Sequence, residues 1–188
     1  MDGTLYYQYP LRICMIFALL RYFLTHLLNI KELWMLFKLR KSHKNGRFIK
    51  GNARIDYWMQ EKPLKYIPLF QDKKLSMLVD QLRHKGVRIV VYSDYPVAGK
   101  LNVLRMPPVD FTFCGFDEEI QCLKPDTKGL TYIMATLNEP AENILFIGDR
   151  YEKDGKCAEG VGMDYIILDK YPLLRNIFFY KKELSHVE

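Results

Sequence analysis

The sequence predicts a three-layer α/β fold, in which helices cover both faces of a parallel sheet, with a helical insert near the N-terminus. From Gln71 onward, segments with helical apolar periodicity alternate with short β-branched runs, which is the pattern of βαβ units. Residues 6–66 carry large apolar side chains at helical spacing instead. A turn motif, Asp2-Gly3-Thr4, opens the printed sequence with no strand before it.

The composition limits the classes of protein to consider. A chain of 188 residues with 49% hydrophobic and 27% charged residues fits one globular domain with a small insert. The four cysteines and four histidines are scattered without metal-ligand spacing, which argues against a disulfide scaffold, a zinc site and a Ser-His-Asp triad. Reduced cysteines favour the cytoplasm.

The chain shows no pattern of a membrane or secreted protein, but its charge is uneven. No charged segment precedes an apolar core at the N-terminus, and the longest uncharged run in the apolar region 11–39 is too short to span a bilayer. The stretch from Lys38 to Arg54 contains seven basic residues and no acid, against a net charge of +6. This stretch is either a solvated face or a surface that attracts an anionic partner.

Residues 6–66 are predicted to be helical. Apolar stripes indicate two helices before a break at Asn45-Gly46, and a shorter third helix ends before Pro63. We therefore predict a helical unit over residues 6–66 and an α/β core formed by residues 1–5 and 67–188.

In the α/β part, each predicted element has a local signal. Asp72 is a suitable N-cap and Gly86 a suitable C-terminal stop for a helix over residues 72–85. The β-branched run at 87–92 predicts a strand that ends at Ser93-Asp94. The further predictions are helices at 97–105, 127–137 and 171–184, and strands at 111–115, 144–147 and 165–168.

The loop after the strand at 144–147 carries two acids, Asp149 and Asp154, just after Gly148. In an open parallel sheet, ligands bind beyond the carboxyl ends of the strands. Two carboxylates at such an end suit Mg²⁺, which prefers oxygen ligands. An acidic loop in which Asp149 caps a helix explains the same residues equally well.

Three further signals are placed to meet this loop at one edge of the sheet: Asp2 in its turn, Ser93 at a strand end and Lys124 before a helix. Together they supply what phosphoryl transfer requires. An acid can donate a proton to the leaving oxygen, a hydroxyl and backbone N–H groups can hold phosphate oxygens, and a lysine can neutralise charge.

The order DGTL, helical insert, VVYSD, KPD and IGDRYEKD resembles the haloacid dehalogenase superfamily, in its helical-cap phosphatase type. Each motif alone is weak, but the four in order over nearly the whole chain are specific. The resemblance implies a Rossmann-like core, a cap formed by residues 6–66, Mg²⁺ as cofactor and a small phosphomonoester as substrate. Part of the basic stretch would then steer anionic substrates into the cleft.

Roles carry over from the resemblance to matching positions. Asp2 matches the general acid/base, Thr4 belongs to the same loop, and Lys124 matches the catalytic lysine. Ser93 and the N–H of Asp94 match the phosphate-binding group, which Thr4 and Lys124 complete.

The resemblance also implies a metal site. Asp149 matches the Mg²⁺ carboxylate, Asp154 matches the second acid, and the backbone carbonyl of Asp2 would be a further ligand.

One departure from the family pattern concerns the nucleophile. The family's nucleophilic aspartate stands two residues before the second acid of its motif, and the printed sequence has only Met1 before Asp2. The apolar strand that precedes the motif, central in this fold, is absent from the printed sequence too. We expect that an internal methionine was taken as the start; a true truncation and a non-catalytic relative are the alternatives.

The function predicted from the sequence is therefore that of a Mg²⁺-dependent cytoplasmic phosphatase of this superfamily, inactive as a 188-residue chain unless extended upstream. The class-distinct alternative is a non-catalytic binding or interaction protein on the same fold. A third interpretation, a membrane-surface or nucleic-acid binder, predicts salt-sensitive binding through the basic stretch; we expect no nucleic-acid partner. Phosphomutase or dehalogenase chemistry, the substrate and the oligomeric state are left open by the motifs.

Overall fold

The computed structural model describes residues 2–25, 30–44, 53–169 and 171. The predicted C-terminal helix at 171–184 and part of the basic stretch lie outside these residues. Across the described residues, no helix combines the length and the apolar character needed to cross a bilayer.

The N-terminal segment is helical, as the apolar spacing predicts. Its helices are α1 (Gln8–Thr25), α2 (Ile30–Lys44) and α3 (Ala53–Asp56). A π-helical turn, Tyr57–Glu61, and two 3₁₀ turns, Lys62–Lys65 and Ile67–Phe70, lead into the α/β part. Buried side chains of α1 and α2 belong to the same hydrophobic cluster as buried side chains of the α/β part. The division at residues 6–66 stays a prediction.

The α/β part alternates helices and short strands, which confirms the predicted fold class. Four-residue strands end at the same edge of the molecule, and the connections between them are mainly helical. The elements are α4 (Lys73–His84), β1 (Val90–Ser93), α5 (Ala98–Leu104), β2 (Phe111–Cys114), α6 (Lys128–Leu137), β3 (Leu145–Gly148), α7 (Lys156–Glu159) and β4 (Asp164–Ile167).

The strand predicted at 87–92 begins later than expected, at Val90. The backbone of Ile89 is held by Asp110 instead: the Ile89 N–H donates to the Asp110 carboxylate at 2.7 Å, and the Ile89 carbonyl accepts from the Asp110 N–H at 2.8 Å. The apolar run therefore begins before the first residue of the ladder, Val90.

The strands form two parallel ladders. β1 pairs with β2, with Ser93 opposite Cys114, and β3 pairs with β4, with Gly148 opposite Ile167. Within the described residues neither ladder pairs with the other. The parallel direction confirms the prediction, and it brings Ser93 and Gly148 to carboxyl strand ends.

An apolar groove of about 480 Å³ separates the two ladders. It is lined by Val90 and Val91 of β1, by Leu145 and Ile147 of β3, and by Leu5. The groove thus runs between two strands that each lack a second ladder partner within the described chain. This split sheet fits the prediction that the first core strand is missing.

The start of the chain is attached to the N-terminus of α4. The Asp72 N–H donates to the Leu5 carbonyl at 2.9 Å, and the Tyr7 hydroxyl donates to the Asp72 carboxylate at 3.1 Å. The same carboxylate caps α4 by accepting from the Leu75 N–H at 3.1 Å, as predicted. Asp72 therefore fixes both the helix and the turn that carries Asp2.

Replacing Asp72 with Ala should lower the free energy of unfolding by about 2 kcal/mol, because an N-cap and a second, partly buried hydrogen bond are lost together. Urea denaturation measures the change. Asp80→Ala, at a half-exposed carboxylate on the same helix, is the control and should change it by less than about 0.5 kcal/mol. Equal losses in the two variants would show that the cap does not fix this end of the fold.

Candidate active site

A cavity of about 520 Å³ lies where the carboxyl ends of β1 and β3 meet the Asp2–Gly3 turn and the helices α1 and α2. Six of the seven predicted site residues line it: Asp2, Ser93, Asp94, Lys124, Asp149 and Asp154. Thr4 is the exception, because it is buried and lines the apolar groove instead.

The acidic loop after β3 is organised by Asp154. One carboxylate oxygen accepts from the N–H groups of Asp149 and Arg150, at 3.2 and 3.1 Å, and the other pairs with the Lys124 ammonium at 2.7 Å. A Cβ on Gly148 would lie 2.3 Å from the Cβ of Asp154, so only glycine allows this packing.

The Lys124–Asp154 ion pair is buried. Burial alone raises the pKa of Asp154, but the Lys124 charge and hydrogen bond outweigh it and lower the pKa to about 2. Burial tends to lower the pKa of Lys124, yet Asp154 and Asp94 raise it above its usual range. Lys124 is therefore a fixed ammonium group, as charge neutralisation requires.

Asp94 connects the loops around the cavity. One of its carboxylate oxygens accepts from the Lys124 N–H at 3.1 Å, and the other accepts from the Lys153 ammonium at 3.1 Å. Lys153 also donates to the His43 carbonyl at 3.2 Å, which attaches α2 to the core. The neighbouring Ser93 is 2% exposed, and its hydroxyl accepts from the Tyr95 N–H at 3.3 Å.

Asp2 is held by two donors. The Lys100 ammonium lies 2.6 Å from its carboxylate, and the Tyr6 hydroxyl donates to the same oxygen at 2.8 Å. Burial raises the pKa of Asp2, but Lys100 and the nearby N-terminal charge lower it to about 2. At neutral pH Asp2 is thus an ion-paired carboxylate, and its lowered pKa makes it a weak base.

Asp149 is buried at 4% exposure, and within the described chain no side chain pairs with its carboxylate. The pKa of Asp149 is raised, mainly because the carboxyl group is buried. Its carboxylate packs against Gly3, where a Cβ would lie 2.1 Å from the oxygen and where φ is +84°. Glycine at position 3 is therefore required for Asp149 to reach the backbone of the turn.

These residues fit a hard divalent cation. No group of three His, Cys, Asp or Glu side chains suited to a metal occurs in the described part of the chain. Mg²⁺, however, needs only one or two carboxylates and keeps several waters. Asp149 is a buried carboxylate that forms no ion pair with a described side chain and packs against the Asp2–Gly3 turn, which suits that donor set, and a cation would offset the cost of its burial.

Sequence reasoning missed Lys100, Lys153 and Tyr6. Lys100 could have been found, because it lies at helical spacing from Val97 and Leu104, both of which are buried. A lysine on the apolar face of a helix indicates a buried ion pair. For Lys153 and Tyr6 no local pattern distinguishes them from loop residues.

Comparison with known proteins gives a family and a fold. A family model described as haloacid dehalogenase-like hydrolase matches residues 1–162. A crystal structure named "putative phosphoglycolate phosphatase", from Lactobacillus delbrueckii subsp. bulgaricus, aligns with a TM-score of 0.50 and 22% identity over 69% of this chain. At that identity the likeness concerns the fold, and this chain spans only 54% of that structure. No curated protein sequence matches significantly.

The Lys124–Asp154 pair predicts a pH-dependent stability. The pKa of Asp154 in the folded protein lies below its ordinary value of 3.8. The ion pair therefore contributes its full stabilisation above about pH 5, and this stabilisation is lost as the pH falls toward 2. Asp154→Asn should therefore lower the free energy of unfolding by about 3 kcal/mol at pH 7, with a smaller loss at pH 3.

Denaturant unfolding at pH 7, 5 and 3 measures this difference. Glu142→Gln, at an exposed carboxylate, is the control and should have little effect at any of these pH values. A loss in Asp154→Asn that stays constant from pH 7 to pH 3 would contradict the assigned ion pair.

Proposed function

The chain belongs to the haloacid dehalogenase-like hydrolase family, and we propose that it is built as a Mg²⁺-dependent phosphatase acting on a small phosphorylated metabolite. One observation carries this proposal: Ser93, Lys124 and Asp149, which are far apart in sequence, line a single cavity at the carboxyl ends of the strands. A hydroxyl, an ammonium group and a metal-binding carboxylate in one cavity suit phosphate chemistry.

The residues of the site have three roles: binding the phosphate, transferring a proton and positioning other side chains. The Ser93 hydroxyl, the Asp94 N–H and the Lys124 ammonium bind the phosphate oxygens, and Asp2 takes part in proton transfer. Thr4 stabilises the turn that carries Asp2 and does not bind the phosphate, since it lines the apolar groove. Lys100 and Lys153 position Asp2 and Asp94 through their ion pairs.

Mg²⁺ would be held by the Asp149 carboxylate and the Asp2 backbone carbonyl, with Asp154 acting through Lys124 and metal-bound water. When bound, the cation offsets the repulsion between an anionic nucleophile and an anionic substrate. The four free cysteines support a reducing compartment, and we place the protein in the cytoplasm.

The proposed reaction requires a nucleophilic carboxylate, which the family pattern puts directly before Met1. The apolar groove supports this proposal, because a strand lying between β1 and β3 would end beside Gly3 and Asp149. Covalent catalysis cannot proceed without the nucleophile. We therefore propose that turnover needs that strand and an aspartate ahead of Met1.

A binding protein without turnover is the second candidate. Its support is the state of Asp2, which is ion-paired with Lys100 and has a pKa of about 2. Such a protein would bind phosphate in the cavity with no chemical step, and it would remain inactive when extended.

The test compares the 188-residue chain with a chain extended by an apolar strand whose last residue, directly before Met1, is Asp. With p-nitrophenyl phosphate and Mg²⁺, the extended chain should exceed the shorter one in rate by about a thousandfold or more. An otherwise identical extension that ends in Asn is the matched control and should restore no activity.

Asp149→Asn in the extended chain should abolish the turnover. An inactive extended chain that still binds inorganic phosphate would favour the binding protein. Robust hydrolysis by the 188-residue chain itself, abolished by Asp149→Asn, would refute the need for an upstream nucleophile.

A further inference from the structure

Two arginines of the helical segment face the proposed phosphate site. Arg12 of α1 and Arg40 of α2 line the same cavity as Ser93 and Lys124. Both residues are exposed in part to solvent, and both line the cavity, so a ligand in the cavity lies beside them. The cavity, at about 520 Å³, has room for a small molecule that reaches from the strand ends to the helices.

These arginines differ from the lysines of the cavity in their partners. Lys100, Lys124 and Lys153 each pair with a carboxylate, at 2.6, 2.7 and 3.1 Å. In the described chain, neither Arg12 nor Arg40 forms an ion pair with a carboxylate. Arg12 donates to the neutral Gln8 side chain at 2.6 Å and lies 5.7 Å from the Tyr9 ring.

The two arginines are also close enough to repel each other. Partial burial, and to a smaller extent the positive charge of Arg12, lower the pKa of Arg40. An arginine nevertheless stays charged in a protein. Two like charges beside one cavity are unfavourable until an anion lies between them. A second anionic group on the ligand would supply that counter-charge.

We propose that Arg12 and Arg40 bind a second anionic group, a carboxylate or a phosphate, at the end of the substrate opposite the transferred phosphoryl group. The substrate class is then phosphomonoesters of small acids or small bisphosphates, not phosphates of neutral alcohols. Guanidinium groups suit this role because they donate two parallel hydrogen bonds to either anion. The inference rests on the proposed function, since it assigns the phosphoryl group to Ser93 and Lys124.

Isothermal titration of the 188-residue chain tests this with three phosphomonoesters that share a three-carbon chain: propyl phosphate, 3-(phosphonooxy)propanoate and propane-1,3-diol bisphosphate. The two ligands with an anionic group at each end should bind at least about tenfold more tightly than propyl phosphate. Tighter binding of the carboxylate-bearing ligand would identify the second group as a carboxylate. Tighter binding of the bisphosphate would identify it as a phosphate.

Arg12→Gln and Arg40→Gln should each weaken the binding of the two ligands with an anionic group at each end by about tenfold, and the binding of propyl phosphate by less than about twofold. Arg21→Gln is the matched control, because it removes the same charge from α1 outside the cavity lining. It should leave all three affinities unchanged.

Equal weakening of all three ligands by Arg12→Gln and Arg40→Gln would overturn the inference, and so would equal binding of the three ligands by the unmodified chain. Inorganic phosphate separates this failure from failure of the proposed function. If inorganic phosphate binds while the three esters bind equally, only the second anion site is refuted. If neither inorganic phosphate nor any ester binds, both proposals are refuted.

Discussion

The rest of this structure depends on one constraint: each charge buried at the carboxyl edge of the sheet needs an opposite charge beside it. Lys124 and Asp154, at 3% exposure each, can be buried only because they lie 2.7 Å apart. The pairs Lys100–Asp2 and Lys153–Asp94 obey the same rule. Each pair joins segments that are distant in sequence, so the N-terminal turn, α5 and the loops after β1 and β3 are all held at one place. This network brings six of the predicted site residues to one cavity.

The sequence predicted the residues that carry motifs better than the residues that support them. Asp149 and Ser93 follow apolar runs at strand ends, so both the pattern and the parallel topology pointed to one edge. Lys153 has no such signal, because its partner Asp94 lies 59 positions away and only the fold brings them together. The strand start at Val90 was missed for a similar reason, since an apolar run does not reveal that Asp110 holds Ile89. Thr4 shares the turn with Asp2, yet it lies on the groove side.

The split sheet connects the fold to the chemistry. β1 and β3 border an apolar groove, and the turn that carries Asp2 closes one end of it. Within the described residues, Asp149 packs on Gly3 of that turn without a cationic partner. One edge of the molecule therefore carries both features, the buried Asp149 carboxylate and the end of the apolar groove. Arg12 of α1 and Arg40 of α2 line the same cavity, and in our proposal they bind the far end of the substrate.

Titration of Mg²⁺ into the 188-residue chain tests the central claim most directly, because it requires neither the nucleophile nor a known substrate. The account predicts saturable binding at one site, weakened at least about tenfold by Asp149→Asn. Asp80→Asn, which removes an exposed carboxylate from α4, should leave that binding unchanged. Mg²⁺ binding that is absent, or that persists undiminished in Asp149→Asn, would contradict the assignment of this edge as a metal-assisted phosphate site.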